Sequence, residues 1–219
     1  MNRTKIDWCD YTWNPVWGCE NSCPYCYARK MAQRWGKSFE PHWMENNFNR
    51  IFPKEPSRIF VNSMSDIFYW QHEWWEKVLD KIKEYPQHTF LFLTKHPQSY
   101  ESRIFHSNCW LGITITCQTD MDYLADYIFT SSWDDKYHFF ISMEPILEPI
   151  ELYVTPDWLI IGAETGNRKD KVIPEYGWIE PYLKLNIPVF LKNSLSWINP
   201  WKREYPEIEE LHRKLKGIA

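Results

Sequence analysis

Residues 13–28 read WNPVWGCENSCPYCYA and contain three cysteines at C-x3-C-x2-C spacing, Cys19, Cys23 and Cys26. A short strand is predicted before Gly18, around 14–17, and a helix at 25–35, so the thiols share one strand-to-helix loop. Such a loop can wrap around one iron–sulfur cluster, which needs soft thiolate ligands, and leave the fourth iron without a protein ligand. The spacing therefore predicts a [4Fe–4S] cluster on these cysteines.

A zinc site is the alternative interpretation of the same cysteines. Structural zinc sites usually close with four ligands, commonly in two CxxC-like pairs, and this chain has no second pair. Cys9, His42, Cys109 or Cys117 would have to supply the fourth ligand, and none has the usual spacing. The cluster is therefore favoured over zinc.

Composition and charge limit the class of protein. The chain has 219 residues, is 44% hydrophobic and 25% charged, and carries a net charge of −4, as expected of a globular protein that is no general polyanion binder. No stretch approaches the roughly 20 apolar residues that cross a bilayer, and residues 1–7 lack the apolar run of a signal peptide. We therefore expect a cytoplasmic protein, without membrane contact, whose six cysteines are reduced.

Strand-like and helix-like segments alternate along most of the chain. Further strands are predicted at 58–62, 89–93, 109–116, 137–142, 158–161 and 189–191, and helices at 73–84, 120–129 and 177–185. This alternation indicates parallel βαβ units, but too few for a complete eight-fold barrel, which typically needs about 250 residues. The predicted fold is α/β: an open, partial (β/α)6 TIM-like barrel with mostly parallel strands.

The domain organisation is predicted to be simple. Residues 46–57, with Pro53 and Pro56, are expected to form a loop. No repeat or linker interrupts the chain, so residues 1–219 are expected to form one domain. A short helical extension is expected at about 195–219, with a charged helix at 207–216.

Polar residues stand just after nearly every predicted strand. They are Ser63, Ser65 and Asp66, then Thr94 and Lys95, Thr116 and Gln118, Glu144, Glu164, and Lys192 and Asn193. In parallel α/β folds, ligands bind at the carboxyl ends of the strands. This pattern predicts a ligand site there, although polar loops also begin at strand ends in proteins without one.

The cysteine segment resembles the radical S-adenosylmethionine (SAM) superfamily, whose signature is C-x3-C-x-aromatic-C, with Tyr25 in the aromatic position. The resemblance implies an enzyme that binds a [4Fe–4S] cluster and SAM. In that superfamily the open iron chelates the amino and carboxylate groups of SAM, and one electron cleaves the sulfonium to a 5′-deoxyadenosyl radical. The superfamily fold is a partial (β/α)6 barrel with the cysteine loop after the first strand, which agrees with the predicted element order.

A narrower resemblance covers residues 6–192. The motifs are WNPV (13–16), CYA (26–28), VNSMSD (61–66), LTK (93–95), LGIT (111–114), SMEP (142–145) and GAETG (162–166). In this order they are similar to the phage-type radical SAM proteins, whose function is generally unassigned. Many members of that group space the first two cysteines further apart, so the present spacing agrees better with the superfamily than with the subfamily.

The resemblance implies roles for residues at the strand ends. Ser63, Met64 and Ser65 occupy the place of the usual Gly-Gly-Glu-like site for the SAM amino group, so backbone carbonyls would have to serve. Lys95 is expected to pair with the methionine carboxylate. The remaining candidates are Thr114 or Thr116 for the ribose, Glu144 or Glu164 for ribose hydroxyls or substrate, and Tyr25 with residues 161–163, including Gly162, for adenine. Such a lysine can instead be solvated, and such glutamates can instead pair with Arg or Lys.

Two residues are candidates for a direct part in catalysis. Cys117 follows a strand, where a thiol can donate a hydrogen atom to a product radical, a role known in spore photoproduct lyase, a DNA-repair relative in the superfamily. Lone cysteines are more often small buried side chains, as expected of Cys9 and Cys109. Lys192 follows the last predicted strand and is the second candidate.

The preferred substrate class is a nucleic acid or nucleotide. The phage-type resemblance favours it, as do two aromatic–basic groups: Trp35 with Arg29, Lys30, Arg34 and Lys37, and Trp197 and Trp201 with Lys202 and Arg203. Either group can equally be a solvated face beside core tryptophans, and a small-molecule or peptide substrate stays open.

Partners and a non-enzymatic alternative complete the sequence-based expectations. The superfamily implies a flavodoxin or ferredoxin as electron donor, and a partner protein can complete the substrate pocket of so short a chain. The alternative is a non-catalytic iron–sulfur or zinc protein with a structural, sensing or nucleic-acid-binding role.

Overall fold

The computed structural model describes residues 1, 3–101, 103–131 and 137–206 of the chain. The strands in these ranges are β1 (Tyr11–Thr12), β2 (Val16–Trp17), β3 (His42–Trp43), β4 (Arg58–Phe60), β5 (Thr89–Thr94), β6 (Cys109–Thr114), β7 (His138–Met143), β8 (Trp158–Ile161) and β9 (Val189–Leu191). The α-helices are α1 (Tyr27–Arg34), α2 (Glu45–Phe48), α3 (His72–Lys83), α4 (Gln118–Thr130) and α5 (Tyr176–Leu183). Short 3-10 helices lie at Ile67–Tyr69, Pro97–Tyr100 and Asn193–Leu195.

Seven of these strands form one sheet in the order β1-β4-β5-β6-β7-β8-β9. Every neighbouring pair in it is parallel. Strands β1 and β9 lie at its two edges, so the sheet is an open half-barrel. The predicted class, α/β with an open parallel partial barrel, is confirmed, with seven strands in the sheet.

Apolar side chains cover both faces of the sheet, as is usual for parallel strands. On one face, Leu111 and Ile113 of β6 share a core with Val78 of α3 and Leu124 of α4. On the other face, alternate residues such as Trp110 form a second core, which Trp8 from the N-terminal segment completes. Because strand side chains alternate in direction, one short apolar run serves both cores.

The connections between strands differ in structure. Helices α1, α3, α4 and α5 lie in four of the crossovers, whereas the β5–β6 crossover contains the 3-10 helix Pro97–Tyr100. The β7–β8 connection, residues 144–157, contains no helix. Its three prolines, Pro145, Pro149 and Pro156, cannot donate a backbone hydrogen bond, which disfavours a helix there.

Three predictions of local structure need correction or fall outside the described chain. The first strand of the sheet is β1, not residues 14–17, because Pro15 lacks an N–H and the chain turns there. Strand β2, which covers the end of the predicted segment, instead pairs antiparallel with β3 in a separate two-stranded ribbon. The predicted loop at 46–57 begins within the single helical turn of α2. The predicted helix at 207–216 lies outside the described residues.

The described part of the C-terminal extension packs back on the barrel. After the 3-10 helix Asn193–Leu195 no further helix occurs up to residue 206, and Arg203 forms an antiparallel bridge to Phe190 of β9. None of the helices in the described ranges is long and apolar enough to span a membrane.

Candidate functional site

The cysteine loop starts at a position that only glycine can occupy. Gly18 has a φ of +101°, and a Cβ there would lie 2.1 Å from the carbonyl oxygen of Glu40. Its N–H donates to the carbonyl of Met64 at 3.0 Å, and the N–H of Cys19 donates to that of Phe39 at 2.9 Å. The backbone is thereby fixed just before the first thiol.

Backbone amides point at two of the three sulfur atoms. The N–H of Asn21 donates to Sγ of Cys19 at 3.3 Å, and the N–H of Arg29 donates to Sγ of Cys26 at 3.3 Å. Cys26 is also the N-cap of α1, whose dipole places partial positive charge near its thiol. Amide hydrogen bonds to cysteine sulfurs are among the features that tune iron–sulfur clusters, so these contacts would favour metal-bound thiolates.

The guanidinium of Arg29 stabilises the cysteine loop through hydrogen bonds to its backbone carbonyls. One of its nitrogens donates to the carbonyl of Cys19 at 2.7 Å and to that of Asn21 at 2.9 Å. Its carbon lies 5.1 Å from the ring centroid of Phe39. Arg29 is therefore a structural part of the loop rather than an exposed cation, contrary to its predicted place in an aromatic–basic surface.

The amide of Asn21 joins this loop to the neighbouring strand ends. Its nitrogen donates to Asp66 at 3.0 Å, and its oxygen is 2.9 Å from both the Tyr69 hydroxyl and Nε2 of His96. Asp66, which is buried, also accepts from the Thr94 hydroxyl at 2.5 Å. These contacts fix the cysteine loop to the carboxyl ends of β4 and β5.

The Ser63–Ser65 segment is held by Asn14 from the WNPV motif. The Asn14 side-chain oxygen accepts from the N–H of Met64 at 2.9 Å, and its nitrogen donates to the Ser63 hydroxyl at 3.0 Å. Each carbonyl of the segment already accepts one bond: Ser63 from Tyr27, Met64 from Gly18 and Ser65 from Asn62. A carbonyl has two lone pairs, so each retains one acceptor site for a ligand amine.

Burial keeps the metal-free thiols of Cys19 and Cys23 protonated. It raises the pKa of Cys19 to about 12, with the nearby Asp66 carboxylate and the other two thiols adding to the effect. Burial also raises the pKa of Cys23, although Lys95 acts in the opposite direction. Metal ligation at these sulfurs therefore releases protons.

Lys95 and Tyr25 lie together beside the cysteines. The Lys95 ammonium is 5.7 Å from the Tyr25 ring centroid. Burial alone would lower the pKa of Lys95, but its interactions with Tyr25 raise it above the usual value. The lysine therefore stays charged beside Cys23, where it can receive an anionic group.

Two ion pairs lie at the carboxyl ends of β7, β8 and β9, across the cavity from the cysteine loop. Glu144 after β7 pairs with Lys192 after β9, and Gly162 packs against them, since a Cβ there would lie 2.9 Å from Cδ of Lys192. Nε and one terminal nitrogen of Arg168 donate to the two carboxylate oxygens of Glu164, each at 2.7 Å, and this contact holds the pKa of the carboxyl below the usual range. Both glutamates thus have a protein partner, as the sequence left open.

A cavity of about 1430 Å³ lies over the carboxyl ends of the strands. The predicted residues that line it are Cys19, Cys23, Cys26, Tyr25, Ser63, Met64, Ser65, Lys95, Thr114, Glu144, Glu164 and Lys192. Gly162, Thr116 and Cys117 are not among its lining residues. Gly162 instead lies behind Lys192, and the Thr116 hydroxyl donates to Asp120 at 2.7 Å. Cys117 is the N-cap residue of α4, half-buried.

The second predicted aromatic–basic group is engaged internally. Arg203 contacts Asp7 at 3.2 Å and lies 4.2 Å from the Phe190 ring centroid, while Lys202 is 3.2 Å from Glu204. The Trp201 indole donates to the carbonyl of Leu191 at 3.1 Å. Trp197 alone of this group remains a largely exposed side chain without a ring contact among the described residues.

Several site residues were not identified from the sequence. Asn21, Asn14 and Arg168 line the cavity and position predicted residues. The contacts of Asn21 and Asn14 join positions up to 75 residues apart, whereas Arg168 lies only four residues from Glu164. Asp66 was noted only as a polar strand end. The one available signal was that Asn14 and Asp66 belong to the WNPV and VNSMSD motifs.

The donor set fits a cluster held on one side by protein. Within the described ranges, no three His, Cys, Asp or Glu side chains are gathered as they would be around a single metal ion. Three thiols nevertheless share one loop at the cavity, two of them with amide hydrogen bonds to sulfur. In a [4Fe–4S] cluster each thiolate binds a different iron, so the ligands need not converge on one point.

Comparison with known proteins identifies a family that this chain matches. The profile of a family described as "Protein of unknown function (DUF5131)" matches residues 3–184, which include the whole cysteine loop and β1 to α5. No curated protein and no solved structure matches the chain.

Proposed function

Because this chain belongs to the DUF5131 family, whose function is unknown, its activity has to be argued from the site, and we propose that it is a radical SAM enzyme. Cys19, Cys23 and Cys26 would hold a [4Fe–4S] cluster, and SAM would occupy the adjacent part of the cavity. The observation that carries the proposal is the position of all three thiols on one loop, at a cavity over the ends of parallel strands. When bound, the cluster supplies an electron for reductive cleavage of the SAM sulfonium.

The residues around the cysteine loop would bind SAM. Lys95 would pair with the methionine carboxylate, because its ammonium is charged and lies beside Tyr25 and Cys23. The free lone pairs on the carbonyls of Ser63 to Ser65 would accept from the SAM amino group. Thr114, which lines the cavity, is a better candidate for the ribose than Thr116, whose hydroxyl is bound to Asp120.

The opposite wall would contact the substrate. The Glu144–Lys192 pair lines the cavity and can exchange a proton or a hydrogen bond with a bound molecule. Glu164, held in place by Arg168, would orient the ribose or the substrate. Cys117 at the start of α4 lies outside the lining residues, so a role as hydrogen-atom donor would require a substrate that reaches past the cavity wall.

The cavity suits a phosphate-bearing substrate in addition to SAM. Its volume of about 1430 Å³ exceeds the 300–1,000 Å³ typical of a site for one small ligand. Lys5, Lys30, Arg34 and Arg50 also line it, and none of them forms an ion pair within the described part of the chain. These cations form a local basic region in a chain whose net charge is −4. We therefore prefer a nucleic acid or nucleotide as substrate.

The proposal extends to the partners that such chemistry needs. Each cleavage of SAM takes one electron from the cluster, and an external donor has to reduce it again. A low-potential flavodoxin or ferredoxin would supply that electron. A second protein can complete the substrate site, since the cavity is open at the strand ends. Both are expectations that follow from the proposed chemistry.

Anaerobic reconstitution tests the proposed function. The wild-type protein is expected to bind four irons and four sulfides per chain and, with dithionite and SAM, to release 5′-deoxyadenosine. Cys19→Ala should lose both properties, whereas Cys117→Ala, a matched cysteine outside the cavity lining, should keep the iron content and the SAM cleavage. A zinc-filled protein, or a cluster that never cleaves SAM, would overturn the proposal in favour of a structural or sensing role.

A further inference from the structure

Two tryptophans and three cations lie together on one surface beside the cavity. We call Trp17, Trp35, Lys30, Arg34 and Lys37 the platform. The rings of Trp17 and Trp35 have centroids 6.0 Å apart and planes inclined by 31°. Trp35, the residue after α1, is 51% exposed, so about half of its surface is open to a ligand.

The cations of the platform are placed around these rings. After Trp35 the chain turns back, and the N–H of Lys37 donates to the carbonyl of Ala32 at 3.0 Å. The Lys37 ammonium thereby lies 5.9 Å from the centroids of both tryptophan rings. Lys30 and Arg34 are four residues apart on α1 and therefore share a face of the helix.

The platform continues into the proposed active site. Trp17, Lys30 and Arg34 line the same cavity as the three cysteines. Helix α1 contains no acidic residue, and within the described ranges no ion pair or side-chain hydrogen bond engages Lys30 or Arg34. These cations are therefore available to an anion that approaches the cavity.

We propose that the platform binds single-stranded nucleic acid, with a base stacked on Trp35 and phosphates at Lys30, Arg34 and Lys37. The assignment of the bound strand as the substrate rests on the proposed function, whereas binding itself needs neither the cluster nor SAM. The strand would follow Arg34 and Trp17 from the platform into the cavity.

Stacking and charge favour a single strand over other occupants. Aromatic side chains near cations bind unpaired bases with little sequence preference, because every base has a stacking face. A duplex buries those faces, and an enzyme that modifies a base must first take it out of the stack. With a net charge of −4, the rest of the surface does not attract phosphates in general, so a local basic surface directs binding.

Fluorescence anisotropy with labelled 12-mers of deoxythymidylate and of uridylate tests this proposal in the full-length protein. Trp35→Ala is expected to weaken binding roughly 5- to 150-fold, the range that corresponds to the loss of one base–aromatic stack. Trp35→Phe should retain most of the affinity, because a ring remains. Trp197→Ala is the matched control, since Trp197 is 52% exposed and lies outside the cavity lining.

The salt dependence tests the phosphate contacts separately. Each contact contributes about 0.7 to the slope of log K against log salt for a single strand, so the Lys30→Ala/Arg34→Ala double variant should reduce it by about 1.4. The double variant Lys54→Ala/Lys83→Ala removes the same charge at exposed positions away from the cavity and should change the slope little. The deoxythymidylate and uridylate probes also show whether DNA or RNA is preferred.

Several outcomes would overturn the proposal. They are an affinity of Trp35→Ala within twofold of wild type, an equal loss in Trp197→Ala or in Trp35→Phe, and equally tight binding of a duplex or of poly-glutamate. Equal binding of poly-glutamate would assign the surface to acidic proteins instead. Iron content and 5′-deoxyadenosine formation, measured on the same preparations, separate this result from the proposed function, because either can fail while the other holds.

Discussion

The side chain of Asn21 connects the cysteine loop to the rest of the site. Its amide contacts Asp66, Tyr69 and His96, which belong to the segments that follow β4 and β5. No other loop side chain bonds to those segments through both its donor and its acceptor, among the contacts of the described residues. The position of Cys19 relative to the strand ends therefore depends in part on an amide group two residues away, in addition to the bonds that Cys19 makes with Phe39 and Arg29.

Asn21→Ala is expected to loosen the cysteine loop. The loss of these hydrogen bonds at a half-buried position should lower the free energy of unfolding by about 1 kcal/mol. The reconstituted protein should also release iron to a chelator faster than wild type, since the loop is less constrained. Urea unfolding and chelator kinetics measure the two effects. Asn46→Ala, an exposed asparagine of α2, is the control, and equal behaviour of the two variants would contradict the prediction.

The Glu164–Arg168 pair predicts a particular pH dependence. Glu164 has a side chain only 1% exposed, and Arg168 holds the pKa of its carboxyl below the usual range. Arg168→Ala would leave a buried carboxylate without its cation, and burial then raises the pKa of Glu164. The variant should be less stable than wild type at neutral pH, and this difference should shrink as the pH falls and Glu164 becomes protonated.

Urea midpoints measured between pH 4.5 and 8 check this pH dependence. Lys169→Ala removes a neighbouring exposed charge and is expected to show no such trend. Glu164→Gln combined with Arg168→Ala should abolish the pH dependence of the difference, because no titrating carboxyl remains. A gap between Arg168→Ala and wild type that widens on acidification would show that the pair does not act in this way.

At the scale of elements, strands β6 and β7 pack closely where a glycine of β6 leaves room for a phenyl ring of β7. Gly112 of β6 lies under Phe140 of β7, and a Cβ at Gly112 would be 2.2 Å from the phenyl Cζ. The ring fills this space within the second core, together with Trp110 and Trp158. The glycine is therefore required by close packing inside the half-barrel.

Gly112→Ala is expected to destabilise the protein by about 1–3 kcal/mol, because a rigid ring has to move in a close-packed core. Adding Phe140→Leu should recover part of that loss, since the two positions are in contact and couple. Gly177→Ala is the matched control: an added Cβ has nothing within 4 Å, and helix α5 should gain up to about 1 kcal/mol. Equal effects of the two glycine substitutions, measured by chemical denaturation, would refute the packing argument.

The elements also show where sequence reasoning succeeds and where it fails. The bounds of β8 and β9 were predicted because Asp157 and Gly162 flank the apolar run of β8, and Pro188 and Lys192 flank that of β9. Strand β1 was missed because its two residues, Tyr11 and Thr12, have no periodicity to detect. Thr116 was one of two candidates for the ribose, but its hydroxyl donates to Asp120 in the first turn of α4, and this bond competes with ligand binding.

At the scale of the whole molecule, an open barrel has two edges to protect. Strand β1 and strand β9 are those edges, and an unprotected edge strand can pair with another chain. The N-terminal segment meets the chain after β9 through Asp7: its carboxylate accepts from the N–H of Asn193 at 2.9 Å and from Arg203 at 3.2 Å. The Tyr205 hydroxyl donates to the carbonyl of Asp7 at 3.1 Å.

These contacts join residues up to 198 positions apart, and their presence was not predictable from the sequence. The parallel sheet can be predicted from local sequence patterns. The contacts between its two edge regions cannot, because they depend on hydrogen bonds between residues far apart in the sequence. The cysteines were found from spacing alone, while Asn21, whose contacts join positions up to 75 residues apart, was identified only in three dimensions. Long-range hydrogen bonds leave no periodic signal in a single chain.

Asp7→Ala is expected to loosen both edges of the barrel. Loss of the hydrogen bonds to Asn193 and Arg203 should lower the free energy of unfolding by about 1–3 kcal/mol, because a largely buried carboxylate with two partners is removed. Hydrogen exchange should accelerate in β1, in β9 and at 201–206, and should change least in the central strand β6, since edge elements open without global unfolding. Asp170→Ala, an exposed carboxylate, is the control and should leave exchange at both edges unchanged. A uniform acceleration that includes β6 would show that Asp7 stabilises the fold as a whole, and an unchanged pattern would show that the open side is closed by the aromatic packing of Trp8 and Tyr205 instead.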